Sequence, residues 1–322
     1  MKKILITGGA GYIGSKISND FNDKGYEIVV VDNLTRGNKK FINKHIKFYQ
    51  FNLMNTKKLE LLFKQYKFNA VFHLAALTDV KESSLKSKKY YRNNVLVTKN
   101  ILDMIVKYKV KSLIFSSSAA VYGNKKKHCI NENMNTNPIN NYGRNKLECE
   151  KLIKTYSKNY KFHYAILRYF NVIGADEKLR SGQLYGKSLF NNIVNSILNK
   201  KLSINIYGSS FKTKDGTAIR DYIDINDLSK LHQLVLNRLF KNNSILINCG
   251  SNRGYTVLEI VNTFNKYLEN KISIKFKEKR AEDIGKIYSG NAKLNILFPK
   301  WKIENSLNKS IENLLKWKKI IR

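Results

Sequence analysis

The start of this 322-residue chain constrains it most. A short aliphatic run, Lys3–Thr7, leads into Gly8-Gly9-Ala10-Gly11-Tyr12-Ile13-Gly14. An amphipathic segment over residues 11–24 follows and is ended by Gly25. A strand that turns through glycines into a helix is a restrictive arrangement. The turn needs glycine, close approach to a pyrophosphate excludes a side chain, and helix-on-strand packing needs a small residue. The helix N-terminus then faces phosphate with unpaired N–H groups. A second strand, residues 27–31, ends at Asp32, 18 residues past Gly14. A carboxylate there accepts hydrogen bonds from the adenosine ribose and repels a 2′-phosphate, which favours NAD over NADP. Arg36, nearby in sequence, would reach such a phosphate and keeps the second cofactor open.

The first half of the chain continues this alternation. Further strands are expected at residues 46–51, 70–74, 113–116 and 163–168. Helices are expected at residues 90–108, with Val95, Ile101, Leu102 and Ile105 on one side, and at residues 142–160. Strands alternating with helices predict an α/β fold, a Rossmann-type doubly wound parallel sheet with right-handed crossovers. After Phe170 the pattern loosens, with helical stretches near residues 227–240 and 256–268. This predicts a dinucleotide-binding domain over residues 1–173, with returning segments near 214–240. A smaller mixed α/β substrate domain is expected over residues 174–322.

Hydrophobic residues make up 43% of the chain, yet no stretch approaches the roughly 20 apolar residues a membrane helix needs. Ile4-Leu5-Ile6 is too short for a signal-peptide core, so the fold is expected to begin at Met1 and the location to be cytoplasmic. Cys129, Cys149 and Cys249 lack C-x-x-C spacing and suggest neither a disulfide framework nor a metal site. The net charge of +35 invites a nucleic-acid reading. However, the lysines are spread along the whole chain, alongside abundant Asn, Ile, Tyr and Phe. The cluster Lys125-Lys126-Lys127 has no interleaved stacking aromatics. No specific nucleic-acid partner is therefore expected. A positive field that attracts anionic substrates is.

Tyr142 and Lys146 stand at i and i+4, on one face of the expected helix. A tyrosine titrates near about 10, and a neighbouring ammonium favours the phenolate. A positively charged nicotinamide ring pushes the same way, which would let Tyr142 act as a general base. The strand before that helix runs into Ser116-Ser117-Ser118-Ala119-Ala120-Val121-Tyr122-Gly123. Ligands of open α/β sheets sit at the C-terminal strand ends, where Ser118 would hydrogen-bond the reacting oxygen.

The Gly-x-x-Gly-x-x-Gly loop, the serine run and the Tyr/Lys helix together resemble an extended short-chain dehydrogenase/reductase. Arg168-Tyr169-Phe170-Asn171-Val172-Ile173-Gly174-Ala175 resembles a segment of the UDP-glucose 4-epimerases. So do Tyr207-Gly208, the run Asp215-Gly216-Thr217-Ala218-Ile219-Arg220-Asp221-Tyr222-Ile223, Asn248-Cys249-Gly250-Ser251, and Lys279-Arg280-Ala281-Glu282-Asp283. The resemblance covers residue 3 to about residue 315. It implies NAD as a retained cofactor, held by Gly8, Gly11, Tyr12, Ile13 and Gly14 at the pyrophosphate. Asp32, Asn33, Leu34, Thr35, Arg36 and Gly37 would surround the adenosine ribose. Asn52, Leu53, Leu74, Ala75, Ala76, Thr78 and Asn93 would lie along the dinucleotide, with Phe170 near the nicotinamide. Ser118, Tyr142 and Lys146 would be catalytic and also touch the cofactor. Asn171, Ser188, Leu189, Tyr207, Arg220, Arg280 and Asp283 would bind a UDP-sugar, and a homodimer is implied. Guanidinium groups suit a diphosphate.

The implied reaction inverts C4 of a UDP-hexose through a 4-keto sugar. Asn52, Thr78, Asn141, Ser188, Asp224 and Gly285 depart from the family's usual Asp, Lys, Pro, Asn, His and Pro. Ile287 stands near the position whose size controls acceptance of N-acetylated sugars, and its intermediate bulk leaves the sugar open. The alternatives are an epimerase of UDP-GlcNAc or a UDP-uronic acid, or a silent NAD-sensing regulator. A 4,6-dehydratase needs an acidic pair beside the catalytic serine, where this chain has Ala119 and Ala120.

Overall fold

The structure, a computed structural model, describes residues 1–186, 188–280 and 283–320. In chain order the elements begin with β1 (Lys3–Thr7), α1 (Tyr12–Asp23), β2 (Glu27–Asp32), β3 (Lys47–Gln50), α2 (Thr56–Tyr66) and β4 (Ala70–His73). They continue with α3 (Val80–Leu85), α4 (Ser87–Tyr91), α5 (Val97–Lys107), β5 (Ser112–Ser118), β6 (Cys129–Ile130), α6 (Asn141–Tyr160), β7 (His163–Tyr169) and β8 (Asn171–Ile173). Then come α7 (Leu189–Leu198), β9 (Ser203–Tyr207), β10 (Ile219–Asp224), α8 (Ile225–Leu239), β11 (Ile245–Cys249), β12 (Gly254–Thr256) and α9 (Val257–Asn265). The last are β13 (Ser273–Lys277), β14 (Lys286–Ser289), α10 (Ala292–Leu297) and α11 (Leu307–Trp317). Among the described residues no helix is long and apolar enough to cross a membrane.

The chain divides into two compact units. The first comprises residues 1–123, 135–168 and 229–247, and the second residues 124–134, 169–228 and 248–322.

The first unit carries a seven-stranded sheet ordered β11-β7-β5-β4-β1-β2-β3. The pairs β1–β2, β1–β4, β2–β3 and β4–β5 are parallel, as the Rossmann-type reading requires. Both faces are covered, so β2 reads Glu-Ile-Val-Val-Val-Asp without the alternation of a half-exposed strand. Thr7 pairs with Val31 and with His73, and His73 pairs with Phe115. The C-terminal ends of β1, β2 and β4 therefore stand level and β5 runs on past them to Ser118, at the edge where an open α/β sheet offers a ligand crevice.

The expected helix over residues 90–108 is made of three pieces. A π-helical stretch, Arg92–Leu96, separates α4 from α5. The wider turn buries Asn94, whose side chain both accepts from the Leu77 N–H (2.9 Å) and donates to its carbonyl (3.0 Å). π-turns recur where a side chain must be aimed at a functional segment. The apolar stripe read from sequence is buried, with Ile101, Leu102 and Ile105 sealed against Leu5, Val71 and Leu113. α6 starts where Asn140 accepts from the Gly143 N–H at 2.8 Å.

The second unit holds a sheet ordered β12-β10-β14-β6 with β8 added to β10, and a separate β13-β9 pair. Its knot is Asp221, fully buried on β10. One carboxylate oxygen accepts from the Ser251 N–H (2.6 Å) and hydroxyl (2.7 Å). The other accepts from the Ser289 N–H (2.9 Å) and hydroxyl (2.6 Å) and from the Asn252 N–H (3.2 Å). This residue of the Arg-Asp-Tyr-Ile run therefore ties β10 to β14 and to the loop after Gly250. Asp221→Ala leaves five donors without this acceptor, the two of Ser289 fully buried, and should lower stability by about 4 kcal/mol. Thermal denaturation should show a fall of roughly 10 °C, with Asp221→Asn intermediate. A fall of under about 1 kcal/mol would contradict this role for Asp221.

Candidate active site

The glycine loop leaves β1 with Gly8 at φ +69°, a conformation that L side chains rarely adopt. Space is equally short: a Cβ on Gly8 would stand 2.7 Å from the Ala75 backbone, and one on Gly14 would collide with the Gly8 carbonyl. The Gly8 N–H donates to the Val31 carbonyl (2.8 Å) and the Gly11 N–H to the Gly8 carbonyl (3.1 Å). Gly11 begins α1 with no capping side chain and no acidic residue in the first turn. The backbone thus forms a side-chain-free cradle with helix N–H groups at its mouth, a shape and polarity that fit a pyrophosphate.

Asp32 ends β2 beside this loop. Its carboxylate accepts from the Ala10 N–H (3.0 Å) and the Leu34 N–H (2.8 Å), and Gly37 packs against both oxygens. Burial raises its pKa, opposed by those backbone bonds. Asn33 accepts from the Thr35 N–H (3.0 Å) and hydroxyl (2.8 Å), closing the turn in which Leu34 has φ +58°. Arg36 is paired with Glu82 at 2.7 Å.

Leu53 is a core residue, and Asn52 accepts from the Met54 N–H. Leu74 continues β4 by donating to the Thr7 carbonyl. Ala75 lies against Gly8, Ala76 is half-buried and Thr78 is exposed. Asn93 donates to the Lys89 carbonyl within its own helix, whereas its neighbour Asn94 clamps Leu77.

The serine run and the Tyr/Lys helix do come together. Ser118 ends β5 and accepts from the Ala120 N–H at 3.2 Å. The Lys146 ammonium is buried, donates to the Ser116 carbonyl at 2.6 Å, and lies 5.9 Å from the centre of the Tyr142 ring. The Tyr142 N–H and the Asn141 side chain both donate to Ser83 on α3, to its hydroxyl and carbonyl respectively.

One expectation is corrected. The phenol of Tyr142 is not lowered by Lys146. Burial pushes it up to about 12, against a smaller opposing hydrogen bond with Ser118. Burial also brings Lys146 down to about 8. Loss of solvent governs both groups, disfavouring the phenolate and the ammonium alike.

Beneath these residues lies a network that the sequence did not announce. Glu150 accepts two hydrogen bonds from Arg168, from Nε at 2.9 Å and Nη2 at 2.6 Å, and one from the Ser117 hydroxyl at 2.5 Å. All three are buried, and the arginine lies over the Tyr122 ring at 4.7 Å. The pair pins the serine run between Ser116 and Ser118. His73 bridges the Thr7 hydroxyl (2.7 Å) and the Thr98 hydroxyl (3.0 Å). Burial, helped by the Lys146 charge, pushes it down to about 3, so the ring is neutral.

The residues expected to hold a nucleotide diphosphate lie in the second unit. Arg220 on β10 is half-buried, with its pKa lowered by burial and, more weakly, by the charge of Arg280. The Arg280 guanidinium lies over the Tyr207 ring at 4.6 Å and donates to Asp283 at 3.0 Å. Two guanidinium groups in one unit suit an anion such as a diphosphate. Ile287 is buried on β14 opposite Arg220. Asn171 donates to the Asp221 carbonyl at 3.0 Å. Ser188 caps α7 by accepting from the Asn191 N–H, and Leu189 packs on the core of this unit. Phe170 is buried, its N–H bonded to the Cys249 carbonyl. Ala281 and Glu282 of the Lys-Arg-Ala-Glu-Asp segment lie outside the described residues. Among the described residues, no cluster of three or more His, Cys, Asp or Glu is placed to hold a metal.

Residues 4–250 match the NAD dependent epimerase/dehydratase family. The chain belongs to that family. It is 36% identical to the UDP-glucose 4-epimerase of Lactobacillus helveticus, over 98% of this chain and 97% of that protein. Its structure is similar to that of the UDP-glucose 4-epimerase from Brucella ovis in complex with NAD, with a TM-score of 0.94, 32% identity and 98% of each chain covered. The Bifidobacterium longum UDP-glucose 4-epimerase, in complex with NAD+ and UDP, gives a TM-score of 0.93 at 30% identity, over 99% of this chain and 98% of that one.

The phenol of this family member should titrate late when no nucleotide is bound. The absorbance difference at phenolate wavelengths between the full-length protein and Tyr142→Phe should stay flat until about pH 11 and rise toward a midpoint near 12. Added NAD+ should move that midpoint down by more than one pH unit. A midpoint below 9 without nucleotide would contradict the burial argument.

Proposed function

We propose that this enzyme inverts the configuration at C4 of a UDP-hexose, interconverting UDP-galactose and UDP-glucose with a retained NAD. The observation that carries the reading is the meeting of Ser118, Tyr142 and Lys146 at the strand ends beside the glycine cradle, in a chain so similar to UDP-glucose 4-epimerases. The first unit would hold the cofactor. Gly8, Gly11, Tyr12, Ile13 and Gly14 would face the pyrophosphate, and Asp32 would meet the adenosine ribose. The second unit would hold the UDP part through Arg220, Arg280 and Asp283.

When bound, NAD supplies the acceptor for the C4 hydride and returns it. Tyr142 takes the proton from the C4 hydroxyl and later gives it back. Ser118 hydrogen-bonds the same oxygen and keeps it aligned with the phenol. Lys146, cationic below about pH 8, holds the serine run by its bond to the Ser116 carbonyl and adds positive charge near the developing phenolate. The grip of the two arginines on the diphosphate leaves the hexose as the loosely held part, so that the 4-keto sugar can present its other face.

This reading includes a homodimer and a cytoplasmic location. Free Cys129, Cys149 and Cys249 fit a reducing compartment.

The test is proton NMR of a UDP-sugar panel incubated with purified protein and no added reductant. UDP-galactose should convert to UDP-glucose, with UDP-GlcNAc and a UDP-uronic acid as comparisons. Tyr142→Phe should lose a factor of about 10²–10⁴ in kcat with little change in KM. Full activity in Tyr142→Phe, or turnover confined to another sugar of the panel, would overturn it.

A further inference from the structure

The acidic end of β2 is accompanied by a second carboxylate that the cofactor reading does not use. Arg36 follows Asp32 by four residues, and in dinucleotide-binding βαβ units an arginine near the acid receives a 2′-phosphate. Here its guanidinium is bound at 2.7 Å by Glu82, 46 residues away on α3. Glu82 is held in turn from several sides. It accepts from Lys89 Nζ at 2.9 Å and from the hydroxyl of buried Tyr90 at 3.1 Å, and Lys86 stands at 3.9 Å. Its backbone N–H is capped by Asp79 at 2.8 Å. The bonds to Lys89 and Tyr90, with the nearby charges of Lys89 and Arg36, hold the Glu82 carboxyl below the usual range, so it is ionised at neutral pH.

We propose that Glu82 is a cofactor-specificity residue: it tethers Arg36 and keeps that guanidinium from receiving the 2′-phosphate of NADP. The inference rests on the NAD reading above and deepens it. Asp32 alone opposes a 2′-phosphate, but an unbound Arg36 beside it would offset that repulsion with a charge-assisted, bidentate contact. Tethered to Glu82, the arginine contributes a neutralised pair and the preference of Asp32 stands.

The experiment uses the full-length protein and reads binding instead of activity. Wild type, Glu82→Gln, Arg36→Ala, Glu82→Asp and the Glu82→Gln/Arg36→Ala double variant are each incubated with excess equimolar NAD+ and NADP+. They are then desalted, and the released nucleotides are quantified by chromatography, with melting temperature as a folding control. Glu82→Gln should raise the retained NADP:NAD ratio by about tenfold. Arg36→Ala and Glu82→Asp should leave it near the wild-type value, and the double variant should return to that value. An unchanged ratio in well-folded Glu82→Gln overturns the proposal. So does a raised ratio that survives removal of Arg36, since Lys86 and Lys89 would then be the receivers. A wild-type protein that retains neither nucleotide refutes the NAD reading itself, a result distinct from either.

Discussion

The first unit depends on a steric constraint: the turn from β1 into α1 passes so close to its neighbours that no side chain fits. Gly8 meets the Ala75 backbone and Gly14 meets the Gly8 carbonyl. Because β1 is central in the sheet, this contact sets the start of α1 against the ends of β2 and β4. The same closeness keeps the helix N–H groups accessible to phosphate. Packing and anion recognition thus come from one piece of backbone, and a methyl group at Gly14 would compromise both.

The electrostatics beyond the loop follow from burial. Loss of water raises Tyr142 to about 12 and lowers Lys146 to about 8 and His73 to about 3, so each group is pushed toward its neutral form. Beneath the serine run a buried pair of opposite charges persists. Glu150 and Arg168 share two hydrogen bonds, and removing either partner would strand the other at a cost of several kcal/mol. Their return is rigidity at the serine run, whose Ser116 carbonyl orients Lys146 and whose Ser118 hydroxyl bonds the phenol. If Tyr142 is the general base, it stays protonated until positive charge arrives. On the proposed mechanism this would couple proton abstraction to the presence of the oxidised cofactor.

Local features were legible in the chain. The glycine loop, Asp32, the Tyr142/Lys146 spacing and the apolar stripe of α5 are each carried within a few turns or one strand, and each takes the form its residues demand. What escaped reading joins residues far apart in sequence. His73 bridges Thr7 and Thr98, Glu82 reaches back to Arg36, and Asp221 gathers donors from the segments around Ser251 and Ser289. The π-helical turn at Arg92–Leu96 was invisible for a related reason, since its cause is the bond of Asn94 to Leu77 on another segment. Tyr142 was misjudged because sequence spacing shows the ammonium and hides the burial.

The central claim is that one NAD stores the hydride and returns it to the same sugar while the nucleotide stays in its cradle. Mass spectrometry of UDP-glucose formed from UDP-galactose deuterated at C4 tests this directly, in ordinary water and mixed with unlabelled substrate carrying a heavy-isotope uridine. Deuterium should remain at C4 of the molecule that brought it, with no washout and no crossover to the uridine-labelled product. Loss of the label to water, or its transfer between substrate molecules, would contradict a hydride held by a retained cofactor.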